Sequence, residues 1–222
     1  MAENSRSAKG YESWYHTPRG RWVGTTEFNL LHEQLQPARG GTLLDIGCGT
    51  GYFTRHFAQT GLKVTGIDPN RDWLEFTQEH TAANEIYMAG RAESLPFGNA
   101  SFDYCISVAA LCFVGNQAQA IREILRVTRK RFAIGLLNRH SLLYLEKGKN
   151  GGKGGYEGAR WDTATGLRLA FEGLPVTELS ISSAIFLPHG GALSRAVEHM
   201  LPSWLTHGAF IVVSGNVESS SV

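Results

Sequence analysis

Within Thr42-Leu-Leu-Asp-Ile-Gly-Cys-Gly-Thr-Gly-Tyr-Phe-Thr54, three patterns follow one another. Thr42 to Ile46 is a short apolar run of the kind that forms a strand buried on both faces. Gly47, Gly49 and Gly51 then recur at alternate positions, where a backbone turns tightly and lets a ligand approach without side chains in the way. From Tyr52 to Ala58 the pattern is helical, with Phe53 and Phe57 four apart on one face. Strand, glycine turn and helix N-terminus in that order make a site for a nucleotide-like ligand at the carboxyl end of a strand.

The following strand narrows the ligand. Lys63-Val-Thr-Gly-Ile-Asp68, with Pro69 after it, ends in a carboxylate. It lies about 20 residues beyond the first glycine, where an acid meets the two hydroxyls of a ribose in a βαβ unit. A dinucleotide fingerprint would read G-x-G-x-x-G. Here the third glycine falls one residue early, Tyr52 stands in its place, and Asp45 just before the loop would repel a phosphate.

Leu43-Leu-Asp-Ile-Gly-Cys-Gly-Thr-Gly51 resembles motif I of the class I S-adenosylmethionine (SAM)-dependent methyltransferases, and Val64-Thr-Gly-Ile-Asp68 resembles the acidic motif that follows it. Within that class the chain is similar to the methyltransferase type 11 family, which acts on small molecules such as ubiquinone precursors. The resemblance is specific over Thr42 to Ile134. It implies an α/β fold: a single Rossmann-like, seven-stranded, mostly parallel sheet with helices on both faces and the last strand antiparallel. It implies SAM as cofactor, S-adenosylhomocysteine as product and no metal. Gly47, Gly49 and Gly51 would give backbone closeness, Cys48 would sit in the turn as it commonly does in the family, and Asp68 with Pro69 would meet the ribose. Asp45 and the strand end at Ser107 would surround the methionine amino group.

Gly90-Arg-Ala-Glu-Ser-Leu-Pro-Phe97 resembles the family's segment around adenine, with the Ala92 N–H reaching a ring nitrogen. Arg91 stands where the family has an acid. Arginine only donates, so it would stack on the purine, or Glu93 would take the polar role. At the other end of the cofactor, Tyr11-Glu-Ser-Trp-Tyr15-His16 has two readings. Its rings pack on the sheet, or they form a lid over the methionine end with Tyr15 and with Arg19 or Arg21 near the carboxylate. The chain therefore divides into an N-terminal helical and aromatic lid segment, residues 1–40, and a SAM-binding methyltransferase domain, residues 41–222, together one globular unit.

Further elements follow from periodicity and caps. Helices are expected over Thr25–Gln36, Arg71–Ala83, Ala118–Arg129, Thr163–Glu172 and Ser194–Met200. Strands are expected over Glu85–Ala89, Ser101–Val108, Phe132–Leu137, Val176–Phe186 and Ala209–Ser214. Arg122, Arg126, Arg129, Lys130 and Arg131 form a basic cluster, read as solvated charges at a helix C-terminus or as a contact for an anion. Lys147 to Gly155 is too glycine-rich for regular structure and reads as a mobile arm leading to Tyr156 and Trp161, either a loop that orders over an acceptor or a plain exposed insertion. The ends, residues 1–10 and Glu218–Val222, read as loose. Cys48 and Cys112 read as small buried hydrophobes, with a soft metalloid between them as the alternative. No general base is fixed by the sequence. His16, His140 and His189 are candidates by position.

The composition sets bounds. Hydrophobic residues make up 42% and charged residues 18%, the balance of a soluble globular protein, and the net charge of +1 steers the chain to neither nucleic acid nor an anionic membrane. No apolar run approaches the ~20 residues of a membrane span, and the N-terminus lacks a signal-peptide core. Three cysteines without CxxC spacing argue against a disulfide scaffold or zinc site. A cytoplasmic protein is expected, with a small-molecule acceptor, no nucleic-acid partner, no stable membrane anchoring and an oligomeric state the sequence leaves open. Alternatives are a non-catalytic SAM-binding module and an NAD-type oxidoreductase.

Overall fold

The computed structural model describes residues 7–81 and 84–218. The helices α1 (Ala8–Tyr15) and α2 (Pro18–Leu35) come first. Then follow β1 (Thr42–Ile46), α3 (Tyr52–Gln59), β2 (Lys63–Asp68), α4 (Arg71–Gln78), β3 (Glu85–Ala89) and β4 (Phe102–Val108). The rest comprises α5 (Gln117–Val127), β5 (Thr128–Leu137), α6 (Ala164–Ala170), β6 (Val176–Ala184), α7 (Ala192–Met200) and β7 (Phe210–Val217). The strands form one seven-stranded sheet in the order β3-β2-β1-β4-β5-β7-β6. Only β7 runs against its neighbours, β5 and β6, so the expected α/β sheet is borne out. Strand order reverses between β1 and β4, where chains leave in opposite directions and open a crevice at the carboxyl ends.

Alternation along the strands assigns each residue to a layer. Leu43, Val64, Tyr104, Ile106 and Ala133 point into a core shared with α2 and α3. Leu44, Ile46, Cys105, Phe132 and Ile134 point the other way, toward α5 and α6. Covered on both faces, the central strands are apolar throughout, which is why they read as continuous runs.

Three expectations change. Helix α2 begins at Pro18 rather than Thr25, with the Thr17 hydroxyl accepting from the Gly20 N–H at 3.0 Å. Gly20 and Gly24 lower the helix propensity there. The fold keeps them because a Cβ on Gly20 would collide with the Trp14 carbonyl, and one on Gly24 would lie 2.6 Å from the Tyr52 hydroxyl. Strand β5 begins at Thr128, so Arg129, Lys130 and Arg131 lie on a strand and not at a helix end. Arg129 and Lys130 pair with Asp103, Arg131 reaches Glu178, and Arg126 pairs with Glu123. The cluster is thus largely engaged within the protein. Finally, α4 ends at Gln78. The remainder of the helix expected to Ala83, together with residues 1–6 and 219–222, includes positions outside the described residues.

Candidate active-site cavity

A cavity of about 1000 Å³ opens at the carboxyl ends of β1, β2 and β4. The glycine turn forms its floor. Gly47 and Gly49 have φ of 74° and 56°, in the left-handed region that favours glycine. A Cβ on Gly47 would run into the Ala110 side chain, and one on Gly49 would press on the Trp73 ring at 3.2 Å. The Gly47 and Cys48 N–H groups donate to the Ile67 carbonyl at 2.7 and 3.1 Å, which ties the turn to β2. Gly49 N–H donates to Asp68 Oδ2 at 2.9 Å, and Asn70 N–H donates to Oδ1 at 2.8 Å. Asp68 is thereby fixed in place, with acceptor capacity left on both oxygens. A turn at Arg91, closed by Ser94 N–H to the Arg91 carbonyl at 3.2 Å, brings Arg91, Ala92 and Glu93 to the wall. Arg91 lies 3.6 Å from Glu93.

Aromatic rings cover the opposite side. The Tyr11 ring lies 5.0 Å from that of Trp73, and Tyr15 stacks on Tyr52 at 3.7 Å. Helix α1 is clipped to the glycine turn through Glu12, which accepts from the Thr50 hydroxyl at 2.6 Å and pairs with Arg55. Helix α2 presents Arg19, Val23 and Glu27 to the cavity, each four residues from the last and so on one face. The glycine-rich arm, expected to lack regular structure, contains a π turn at Tyr144–Gly148 and a 3₁₀ turn at Gly154–Tyr156. It places Lys147 and Tyr156 in the cavity wall. Ile185 also lines it, with φ of 66°, a strained geometry for a β-branched residue. Glu198 of α7 holds that bend by accepting from the Ile185 and Phe186 N–H groups at 2.7 and 3.0 Å.

Burial sets the electrostatics. It pushes the Asp45 carboxyl up to about 7, against the Thr54 hydroxyl that donates to it at 2.6 Å. Burial also raises Asp68, opposed by its two backbone donors. Glu27 is raised to about 8 by burial alone. It keeps some exposed surface as part of the cavity lining while being enclosed by protein. The same effect holds the Cys48 thiol up and pushes Cys112 to about 12. Cys112 lies outside the cavity wall, where its sulfur accepts from the Leu137 N–H, and no metal-binding group occurs among the described residues. Protonated, separated thiols do not make the metalloid site considered as the alternative.

The structure brings most of the predicted residues together. Asp45, Gly47, Cys48, Gly49, Asp68, Pro69, Arg91, Ala92 and Tyr15 all line the cavity. Four groups lie elsewhere. Gly51, with φ of 78°, packs against Tyr87 and Thr77 behind the turn. Ser107 is buried and donates to the Ile46 carbonyl at 2.8 Å, so its hydroxyl braces β1 against β4. Arg21 faces a separate groove between α2 and α7, because two helical positions turn it about 200° from Arg19. None of the three histidines is in the wall. His16 and His140 are exposed, and His189 is 76% exposed, 3.6 Å from Glu146. Sequence reading missed Glu27 and Trp73, whereas Tyr156 stands in the wall at the end of the arm where it was noted. The first was legible as the third member of the 19-23-27 stripe once α2 is started at Pro18.

On its own geometry this cradle fits an S-adenosyl group: glycine positions that a Cβ would fill, a fixed carboxylate at the end of β2, and the buried Asp45 for an ammonium. Residues 44–132 match the family model described as "Methyltransferase domain". Over 124 residues the chain is 38% identical to a malonyl-[acyl-carrier protein] O-methyltransferase of Erwinia pyrifoliae, across 56% of this chain and 45% of that one. It spans half or less of the length of the malonyl-[acyl-carrier protein] relatives it matches. Among solved structures, a SAM-dependent methyltransferase and possible histamine N-methyltransferase from Thermotoga maritima superimposes with a TM-score of 0.78. It is 24% identical and covers 98% of this chain and 100% of its own. The [4+2]-cyclase SpnF, 19% identical, superimposes with a TM-score of 0.65 over 87% of this chain and 80% of its own. These two likenesses are of fold, and the second shows that the fold alone does not fix the chemistry.

Proposed function

We propose that the protein is a SAM-dependent methyltransferase that acts on a small-molecule acceptor and releases S-adenosylhomocysteine. The observation that carries this reading is the glycine turn locked to Asp68, with Asp45 buried beside it. When bound, the cofactor supplies an electrophilic methyl on a sulfonium, so the protein's work is to hold, orient and exclude water. Asp68, with Pro69, takes the ribose hydroxyls. The Ala92 N–H meets adenine, and Arg91, steadied by Glu93, covers the purine. Asp45 takes the methionine ammonium, and Tyr15 with Arg19, rather than Arg21, closes over that end. Residues 1–40 act as the lid on a domain formed by 41–222.

The acceptor does not carry over from the malonyl-[acyl-carrier protein] relatives. The chain spans half or less of those relatives, and α1, α2 and the arm at 144–158, which build the acceptor side of the cavity, lie outside the family model's residues 44–132. Among the described residues no helix is long and apolar enough to cross a membrane. A cytoplasmic enzyme without a nucleic-acid partner or a stable membrane anchor is the corresponding proposal. Calorimetric titration with SAM, S-adenosylhomocysteine and NADH in parallel tests the reading. Micromolar binding of both sulfur nucleosides and none of NADH is expected. Binding of NADH alone would replace it with a nucleotide-dependent oxidoreductase. Cofactor binding without turnover of any acceptor would leave a SAM-binding module.

A further inference from the structure

Among the described residues, the Glu27 carboxylate accepts no hydrogen bond and pairs with no cation, although it lines the cavity. The groups that face it come from three directions. Burial first, and the Glu27 charge after it, raises the hydroxyls of Tyr11 and Tyr15 on α1, Tyr52 on α3 and Tyr156 on the arm. Arg19, on the same stripe of α2, lies two turns away, about 12 Å along the axis, and does not neutralise it. An enclosed carboxylate without a partner is costly, and a cation beside it would offset that cost. The arrangement is incomplete without a positive ligand.

We propose that Glu27 and the tyrosines around it receive the methyl acceptor, and that this acceptor is a cationic amine which Glu27 binds and deprotonates. The proposal rests on the methyltransferase reading above. The ammonium N–H bond breaks, its proton goes to a Glu27 carboxylate oxygen, and the electron pair stays on nitrogen as the nucleophilic lone pair. That pair forms the new C–N bond as the C–S bond of the cofactor breaks, whose electrons remain on sulfur as a neutral thioether. Burial favours the neutral carboxyl, the form in which this transfer leaves Glu27.

The test is calorimetric binding to the whole chain saturated with S-adenosylhomocysteine. The probes are phenethylamine, 3-phenylpropylamine and hexylamine, each beside the alcohol of the same skeleton. At least one amine should bind about tenfold more tightly than its alcohol, as a charge-assisted hydrogen bond requires. Glu27→Gln should abolish that preference while leaving the S-adenosylhomocysteine affinity unchanged, and Glu27→Asp should restore part of it. Thermal melts of each variant establish that it is folded. No amine outbinding its alcohol would overturn the proposal, as would a preference that survives in Glu27→Gln. A tenfold loss of S-adenosylhomocysteine affinity in Glu27→Gln would overturn it as well, by assigning Glu27 to the cofactor's own ammonium. If the unaltered protein fails to bind the sulfur nucleoside, the cofactor reading falls by itself. The amine and alcohol comparison on the ligand-free protein then decides Glu27 separately.

Discussion

Asp68 illustrates how a single side chain joins fold to ligand. One carboxylate oxygen holds the Gly49 N–H and the other the Asn70 N–H, so the same group shapes the glycine turn and presents acceptors to the cavity. Asp68→Ala should weaken SAM binding by about 1.5–3 kcal/mol, the usual loss for charge-assisted hydrogen bonds. Calorimetry reads this directly, and an unchanged affinity would remove Asp68 from the ribose. Asp68 was legible in sequence because its strand and spacing are local properties. Arg21 was not separable from Arg19 in the same way. Which of the two faces the cavity depends on the phase of a helix, and that phase depends on where the helix starts.

At the scale of elements, the N-terminal helices are held to the glycine turn by polar contacts as well as by rings. Glu12 of α1 accepts from Thr50 inside the turn and pairs with Arg55 of α3. If α1 is the lid, Glu12→Ala should speed SAM dissociation by about tenfold, the rate equivalent of losing one half-buried charged contact. It should also accelerate amide hydrogen exchange across Ala8–Tyr15, with the sheet left unaffected. Exchange in α1 equal to that of the unaltered protein would show that the contact does not hold the lid. Sequence patterning identified the aromatic segment but left its two roles open. Propensity also misplaced the start of α2, because Gly20 and Gly24 are poor helix formers that packing against Trp14 and Tyr52 requires.

At the scale of the whole molecule, two buried carboxyls shape the pH dependence of stability. Asp45 and Glu27 are raised to about 7 and about 8 in the folded state. Between their unfolded values and these, the folded protein binds protons that the unfolded chain has released. Their contribution is therefore complete below about pH 4 and lost as pH rises through about 7 and then 8. Other groups add their own slopes, so the comparison is with a variant. Between about pH 5.5 and about pH 8.5, the ligand-free protein should lose more thermal stability than Asp45→Asn/Glu27→Gln does. Equal slopes by calorimetry would show that these carboxyls are not raised.

Much of this protein was written locally. The buried strand, the alternate glycines, the acid at the end of β2 and the apolar runs of β4 and β5 are short-range patterns, and the family resemblance they carry implied the sheet and the Asp45, Gly47, Gly49 and Asp68 side of the cavity. The histidine candidates rested on loop position alone, and the fold leaves all three outside the wall. The other half of the cavity is assembled from α1, α2, the arm at 144–158 and the bend at Ile185, segments far apart in the chain. Only tertiary packing sets the face that α2 presents, folds the arm inward and encloses Glu27, because burial and the absence of a partner are properties of the surroundings and not of the residue.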